Sequence, residues 1–260
     1  MPELPDVEVF RRYLESTSLH RRIDAVEITS SRLLLGVSQR QLGKALEGRT
    51  FVEGRRHGKH LFAKIEGEDR YLLLHFGMTG FLSYYKGDED PEYSYLVLRF
   101  TEGYSLAYVN KRMLGRVGLI EDIPAYVEEE GLGPDAMDVS REEFGSIVEG
   151  GRGSVKSTIM NQKRISGLGN VYTDEILFDA GVHPNRNCSE LSEAEIDTLF
   201  ASMNTVVDTA IDAKAQPEKM PQSFLLPRRA EGASCPRCGG SVNKITISGR
   251  STYFCPSCQK

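Results

Sequence analysis

Residues 235–258 read CPRCGGSVNKITISGRSTYFCPSC. Two Cys-x-x-C turns, Cys235 with Cys238 and Cys255 with Cys258, stand sixteen residues apart. Each turn can bring two sulfurs to about 2.3 Å from one tetrahedral Zn²⁺. Asn243–Ile247 and Ser251–Phe254 carry the β-branched and aromatic residues of strands, turning at Ser248-Gly249-Arg250, so a hairpin joins the two thiolate pairs. All four ligands come from protein, which makes the expected ion structural, one per chain, rather than catalytic. Cys188 stands alone, and five cysteines without a leader argue against a disulfide framework.

Charge concentrates around this finger. The 260 residues carry 32 basic and 37 acidic side chains, a net of −5. Residues 214–260, however, hold eight basic side chains and two acidic ones, a surplus of six that leaves −11 on the rest. A basic surface on an acidic body fits nucleic acid better than the total charge implies. Two further basic clusters stand out: Arg152, Lys156, Lys163 and Arg164, and Arg55, Arg56, His57, Lys59 and His60.

Upstream of the finger, residues 215–234 read as a linker, and before it the texture is helical. Ser192 and Glu195 form a capping box for a helix whose apolar positions run from Ile196 to Ile211. Val171–Ala180 is a shorter helix closed by Gly181, with Ser140–Val148 and Ser154–Gln162 before it. Between about residues 22 and 122 the pattern changes to short strands: Ile23–Ile28, Thr50–Val52, His60–Ile65, Tyr71–Phe76, Tyr93–Phe100, Ser105–Val109 and Val117–Ile120. A leading helix precedes them. The expected architecture is α+β: a β-sandwich domain over 1–124, a helical domain over 125–213, and a linker with a zinc finger over 214–260. With 40% hydrophobic and 27% charged residues the composition is globular, and no run reaches the roughly 18 apolar residues of a membrane span.

The N-terminal Pro2-Glu3 pair admits two readings. A proline and an acid at a helix start are the common one. The other begins with removal of Met1, which exposes the secondary amine of Pro2. An α-amino group has a pKa of about 7.7–8.0 against about 10.4 for lysine, so far more of it is neutral at pH 7. Such an amine can attack C1′ of a deoxynucleoside and form an iminium electron sink, with Glu3 beside it as general acid/base.

MPELPDVE at 1–8, GLGNVYTDEILFDAGVHP at 167–184 and the four-cysteine finger together resemble the formamidopyrimidine-DNA glycosylase/endonuclease VIII family, and the Leu4-Pro5 opening resembles its formamidopyrimidine branch. The resemblance runs from Pro2 to Gln259. It implies a helix–two-turns–helix motif in the helical domain and a basic DNA cleft between domains. It implies a monomeric, cytoplasmic and nucleoid-associated base-excision enzyme acting on double-stranded DNA with oxidised bases or abasic sites, cutting the strand by β,δ-elimination. Pro2 would be the nucleophile and Glu3 the acid/base. Lys59 would contact phosphate and assist β-elimination; Arg250, at the hairpin tip, would grip phosphates and assist δ-elimination. Asn170, Lys156 and Arg152 would contact phosphate, with Asn170 doubling as the cap of the helix that follows it. Met78 would fill the gap left by an everted nucleotide, and Arg112 would meet the orphaned base.

The chain departs from that pattern in places. Leu114, in Asn110-Lys111-Arg112-Met113-Leu114-Gly115, replaces the usual aromatic wedge, and Asp6 replaces glutamate. Pro91-Glu92-Tyr93 replaces a histidine-bearing segment, and 215–234 lacks the Gly-rich stretch that caps 8-oxoguanine in relatives. Two rival readings stay open: an endonuclease VIII-like enzyme preferring oxidised pyrimidines, and a noncatalytic zinc-finger DNA-binding protein.

Overall fold

A period-two alternation builds the first half of the chain. In the computed structural model, which describes residues 1–87 and 89–260, the elements follow in order: α1 (Leu4–Ser18), β1 (Ile23–Ile28), β2 (Leu34–Leu35), α2 (Gln39–Leu46), β3 (Phe51–His57), β4 (His60–Ile65), β5 (Tyr71–His75), β6 (Gly80–Lys86), β7 (Ser94–Phe100), β8 (Tyr104–Asn110) and β9 (Arg116–Ile120). They form a four-stranded sheet, β1-β7-β8-β6, and a five-stranded sheet, β2-β9-β5-β4-β3. Leu61, Ala63, Ile65, Leu72 and Leu74 of one sheet share a core with Leu96, Leu98, Phe100, Leu106 and Tyr108 of the other. Phe62, Tyr71 and Leu73, one residue out of phase, face the opposite side and pack with Tyr126. That is the side-chain period of a β-sandwich.

The second half is helical: α3 (Ile123–Glu129), α4 (Arg141–Glu149), α5 (Val155–Ile159), α6 (Asn170–Ala180) and α7 (Glu193–Asp212), followed by the hairpin β10 (Asn243–Ile247) and β11 (Arg250–Phe254). Ser192 and Glu195 form the expected capping box of α7, and Gly181 closes α6 at φ 71°. The α+β class is as expected.

Contacts divide the chain into two bodies, Met1–Pro2 with Asp6–Glu130 and Glu3–Pro5 with Gly131–Lys260. No helix among the described residues is long and apolar enough to cross a membrane.

Four of these helices and strands escaped the sequence reading, one of them the two-residue β2. Strand β6 starts at a glycine and has only Gly80 and Leu82 buried, so its alternation is faint. Helix α2 is short, but Ser38 and Gln41 form a complete capping box for it. Helix α3 is capped by Asp122, whose side chain accepts from the Ala125 amide. The 215–234 segment is also less free than a linker: the Leu225 and Leu226 amides donate to the buried Glu175 carboxylate at 2.8 and 2.5 Å.

Candidate active site and nucleic-acid interface

Glu3 is 1% exposed and serves a helix that begins 167 residues later. Its carboxylate accepts from the backbone amides of Gly169 at 2.9 Å, Val171 at 2.9 Å and Tyr172 at 3.2 Å. These are the orphan donors of the α6 N-terminus, where a negative charge is favoured. Gly169 supplies no side-chain cap. Two glycines make room for the chain's opening residues: a Cβ at Gly169 would overlap the Glu3 carboxylate, and one at Gly167, where φ is +108°, would overlap the Leu4 side chain. The Leu4 amide donates to the Gly167 carbonyl at 3.0 Å. Gly167-Leu168-Gly169 is therefore a seat for Glu3 and Leu4.

This arrangement corrects the reading of Asn170 as a helix cap. Glu3 does the capping, and Asn170 Nδ2 instead donates to the Ser251 carbonyl of β11 at 2.9 Å. Its Oδ1 is buried and has no hydrogen-bond partner among the described residues.

Lys156 also sits differently from a phosphate contact. It is fully buried, with Nζ 2.6 Å from Asp174 Oδ1 and 2.7 Å from Thr252 Oγ1. Burial pulls its ammonium below the usual lysine range, and the Asp174 charge opposes that pull. A cation so enclosed displaces no counterions. Arg152 is exposed, and among the described residues neither it nor Arg250 has a carboxylate partner.

The finger places Arg250 beside the tip rather than on it. Ile247 pairs with Arg250, leaving a two-residue turn of Ser248 and Gly249 with φ 49° and 72°. Two positive values mark the hairpin turn that matches strand twist, so Arg250 is held as the first residue of β11. The four sulfurs lie within 4.8 Å of one another, with Cys235–Cys258 at 3.8 Å and Cys238–Cys255 at 3.5 Å. Zn–S bonds of about 2.3 Å in a tetrahedron put sulfurs about 3.8 Å apart, so the set fits one zinc ion. The Gly240 amide donates to Cys238 Sγ and draws that thiol down to about 7, toward the thiolate a metal requires.

In the first body, Lys59 follows Gly58 in the two-residue turn between β3 and β4 and is 9% exposed. The turn is braced from α1. Glu8 is held down to about 2: burial acts to raise it, but bonds from Arg11 and Arg12 outweigh that. Arg56 donates to Glu8 at 3.4 Å and to the Gly58 carbonyl at 3.2 Å.

Met78, Arg112 and Leu114 are exposed, on two loops of this body pinned by a buried polar chain. Asn110 Nδ2 donates to the Phe76 carbonyl at 3.2 Å and to Tyr108 Oη at 2.8 Å, and Tyr108 donates to the His75 carbonyl at 2.8 Å. The Arg112 amide donates to Thr79 Oγ1 at 3.1 Å, tying one loop to the other. A Cβ at Gly77, where φ is +59°, would strike the Leu114 carbonyl. The sequence reading missed Asn110 as the clamp. A fully buried asparagine at a strand end was the available signal, but burial is not written in sequence.

Comparison with known proteins gives one answer throughout. Residues 1–117 match the formamidopyrimidine-DNA glycosylase N-terminal domain, residues 131–221 its H2TH domain, and residues 234–260 the zinc finger found in FPG and IleRS. The formamidopyrimidine-DNA glycosylase of Geobacter metallireducens is 34% identical over 270 residues, and that of Solibacter usitatus 33%, with full coverage of both chains in each case. A crystal structure of the Lactococcus lactis enzyme with DNA containing an N7-benzyl-Fapy-dG superposes at TM-score 0.90, with 30% identity and full coverage of both chains. One of the same enzyme with FAPY-dG DNA also gives 0.90, with 30% identity, 99% of this chain and all of that one.

Proposed function

The chain belongs to the formamidopyrimidine-DNA glycosylase family and is a DNA glycosylase of base excision repair; we propose that it is also an abasic-site lyase, working through an iminium on Pro2. One observation carries the reading. Three amides at the start of α6, those of Gly169, Val171 and Tyr172, pin the Glu3 carboxylate, and Pro2 is bonded to that residue. An amine at position 2 would thus be held beside a fixed acid/base.

With Met1 removed, the Pro2 nitrogen attacks C1′ as the glycosidic C1′–N bond breaks. The base departs with a proton, and the new N–C1′ bond keeps the sugar on the enzyme. Glu3 protonates the ring oxygen as the ring opens, leaving an iminium. Abstraction of the proton next to that iminium expels the 3′ phosphate, and a second elimination expels the 5′ phosphate. Lys59 steadies the phosphate during the first elimination, and Arg250 grips the flanking phosphates for the second. Its planar fork suits two phosphate oxygens at once. Arg152 and the Asn170 side chain extend the grip. Met78 and Leu114 fill the space of the everted nucleotide, with Arg112 facing the orphaned base. Zinc, when bound by the four cysteines, supplies no chemistry beyond fixing the hairpin that carries Arg250. The protein acts as a monomer on duplex DNA carrying oxidised bases or abasic sites, in the cytoplasm at the nucleoid.

The preferred substrates are formamidopyrimidines and bulky oxidation products, ahead of 8-oxoguanine. Leu114 cannot stack as an aromatic does, and Glu175 ties down the segment before the finger, leaving little chain to close over a flipped purine. Poorly stacked lesions evert at lower cost and need less capping. Single-turnover rates on matched duplexes test this: formamidopyrimidine should be fastest, and 8-oxoguanine opposite cytosine being fastest would overturn the preference.

A further inference from the structure

Asp174 is 1% exposed, lies one helical turn beyond Asn170 on α6, and accepts four hydrogen bonds from three segments. Lys156 Nζ donates to Oδ1 at 2.6 Å. Arg229 Nε and Nη2 donate to Oδ2 at 3.0 and 2.6 Å, and the Tyr253 amide donates to it at 3.1 Å. Arg229 also lies over the Tyr253 ring, 4.6 Å from its centroid. Lys156 reaches on to Thr252 Oγ1 at 2.7 Å.

The spacing explains why the hub sits there. Residues four apart on a helix are separated by about 6.0 Å along its axis. Residues two apart on a strand are separated by about 6.8 Å. Asn170 and Asp174 therefore meet alternate residues of β11: Asn170 takes the Ser251 carbonyl, and Asp174 takes the Tyr253 amide. The same α6 start holds Glu3. A single helix end thus sets the position of Arg250, the residue preceding Ser251, relative to the Glu3 carboxylate.

We propose that Asp174 is a positioning residue for Arg250: its buried carboxylate fixes β11 on α6, so that the Arg250 fork meets DNA phosphate in a set place relative to Glu3. The inference rests on the DNA-gripping role given to Arg250 above. It assigns Lys156 and Arg229 to the same task, holding the strand rather than touching DNA.

A double-mutant cycle tests it, because a residue that acts through Arg250 loses its effect once Arg250 is gone. Affinity for a duplex bearing a tetrahydrofuran abasic analogue is measured for the zinc-loaded wild type, Asp174→Asn, Arg250→Ala and the double variant, with zinc content checked in each. Asp174→Asn should weaken binding at least about tenfold in the wild-type background and less than about twofold in the Arg250→Ala background. If Asp174→Asn loses zinc, Arg229→Gln takes its place in the cycle, since it leaves the Lys156–Asp174 pair neutral. Equal losses in both backgrounds would show a merely structural role and overturn the proposal, as would no loss in either. Loss of binding on Asp174→Asn with Arg250→Ala itself neutral would sink the Arg250 role. Borohydride trapping on the same proteins judges the Pro2 chemistry separately, so failure there leaves the cycle readable.

Discussion

Replacing Glu3 by glutamine should weaken the fold as well as the chemistry. The two carboxylate oxygens serve three amides, Oε2 accepting from the buried amides of Gly169 and Tyr172 and Oε1 from the half-buried one of Val171. Glutamine keeps one oxygen and turns the other into an NH₂ group that faces an N–H, so at least one amide loses its acceptor. An unsatisfied buried donor costs about 1–3 kcal/mol, and the negative charge that complements the helix end is lost as well. A loss of about 2 kcal/mol would lower the melting temperature of a chain this size by about 4–8 °C. Thermal unfolding of zinc-loaded protein without DNA, followed by circular dichroism, measures it. Glu3→Ala should fall further still, because all three amides lose their partner. Melting of Glu3→Gln within about 1 °C of wild type would refute the reasoning, since it would mean that the cap contributes nothing.

Removal of zinc, or Cys238→Ser, should abolish tight DNA binding while the first body keeps its melting transition, because the small finger has little core without its metal; full DNA affinity in a verified metal-free sample would contradict this. In salt titrations of affinity, Arg152→Ala and Arg250→Ala should each reduce the log–log slope by about 0.9 for every phosphate that the arginine neutralises, and an unchanged slope would remove that residue from the interface. Stability of the first body should fall as pH drops from about 6.5 toward 4. Burial, with the neighbouring His75 charge, lowers His60 to about 3, and burial with Arg116 lowers His75 to about 4, so both are neutral when folded but take up protons when unfolded. Urea unfolding at pH 7.5 and 5 should show that loss in wild type and a smaller one in His60→Phe; equal losses would exclude His60 as a source.

Local patterns in the sequence foretold the elements with local signals. The paired cysteines, the turn between β10 and β11, the Ser192–Glu195 box and the alternating strands all announce themselves within a few residues. What stayed hidden depends on partners far along the chain. Glu3 caps α6 from 167 residues away along the chain, so Asn170, the nearest polar residue, looked like the cap. Lys156 looked like a phosphate contact because its partners, Asp174 and Thr252, lie 18 and 96 residues away. Asp174 drew no attention at all: it sits in a recognisable motif, but its four donors come from three other stretches. A fold shows its local periods in sequence, whereas its buried charge networks are written in three dimensions.

The most direct measurement is of where DNA becomes attached. Wild-type protein should be incubated with an abasic duplex, reduced with borohydride and digested, and the cross-linked peptide sequenced by mass spectrometry. The adduct should lie on the nitrogen of Pro2, in a peptide that begins at Pro2 with Met1 absent. An adduct on Lys59 or another lysine, or lyase activity from protein that retains Met1, would contradict the iminium chemistry assigned to Pro2.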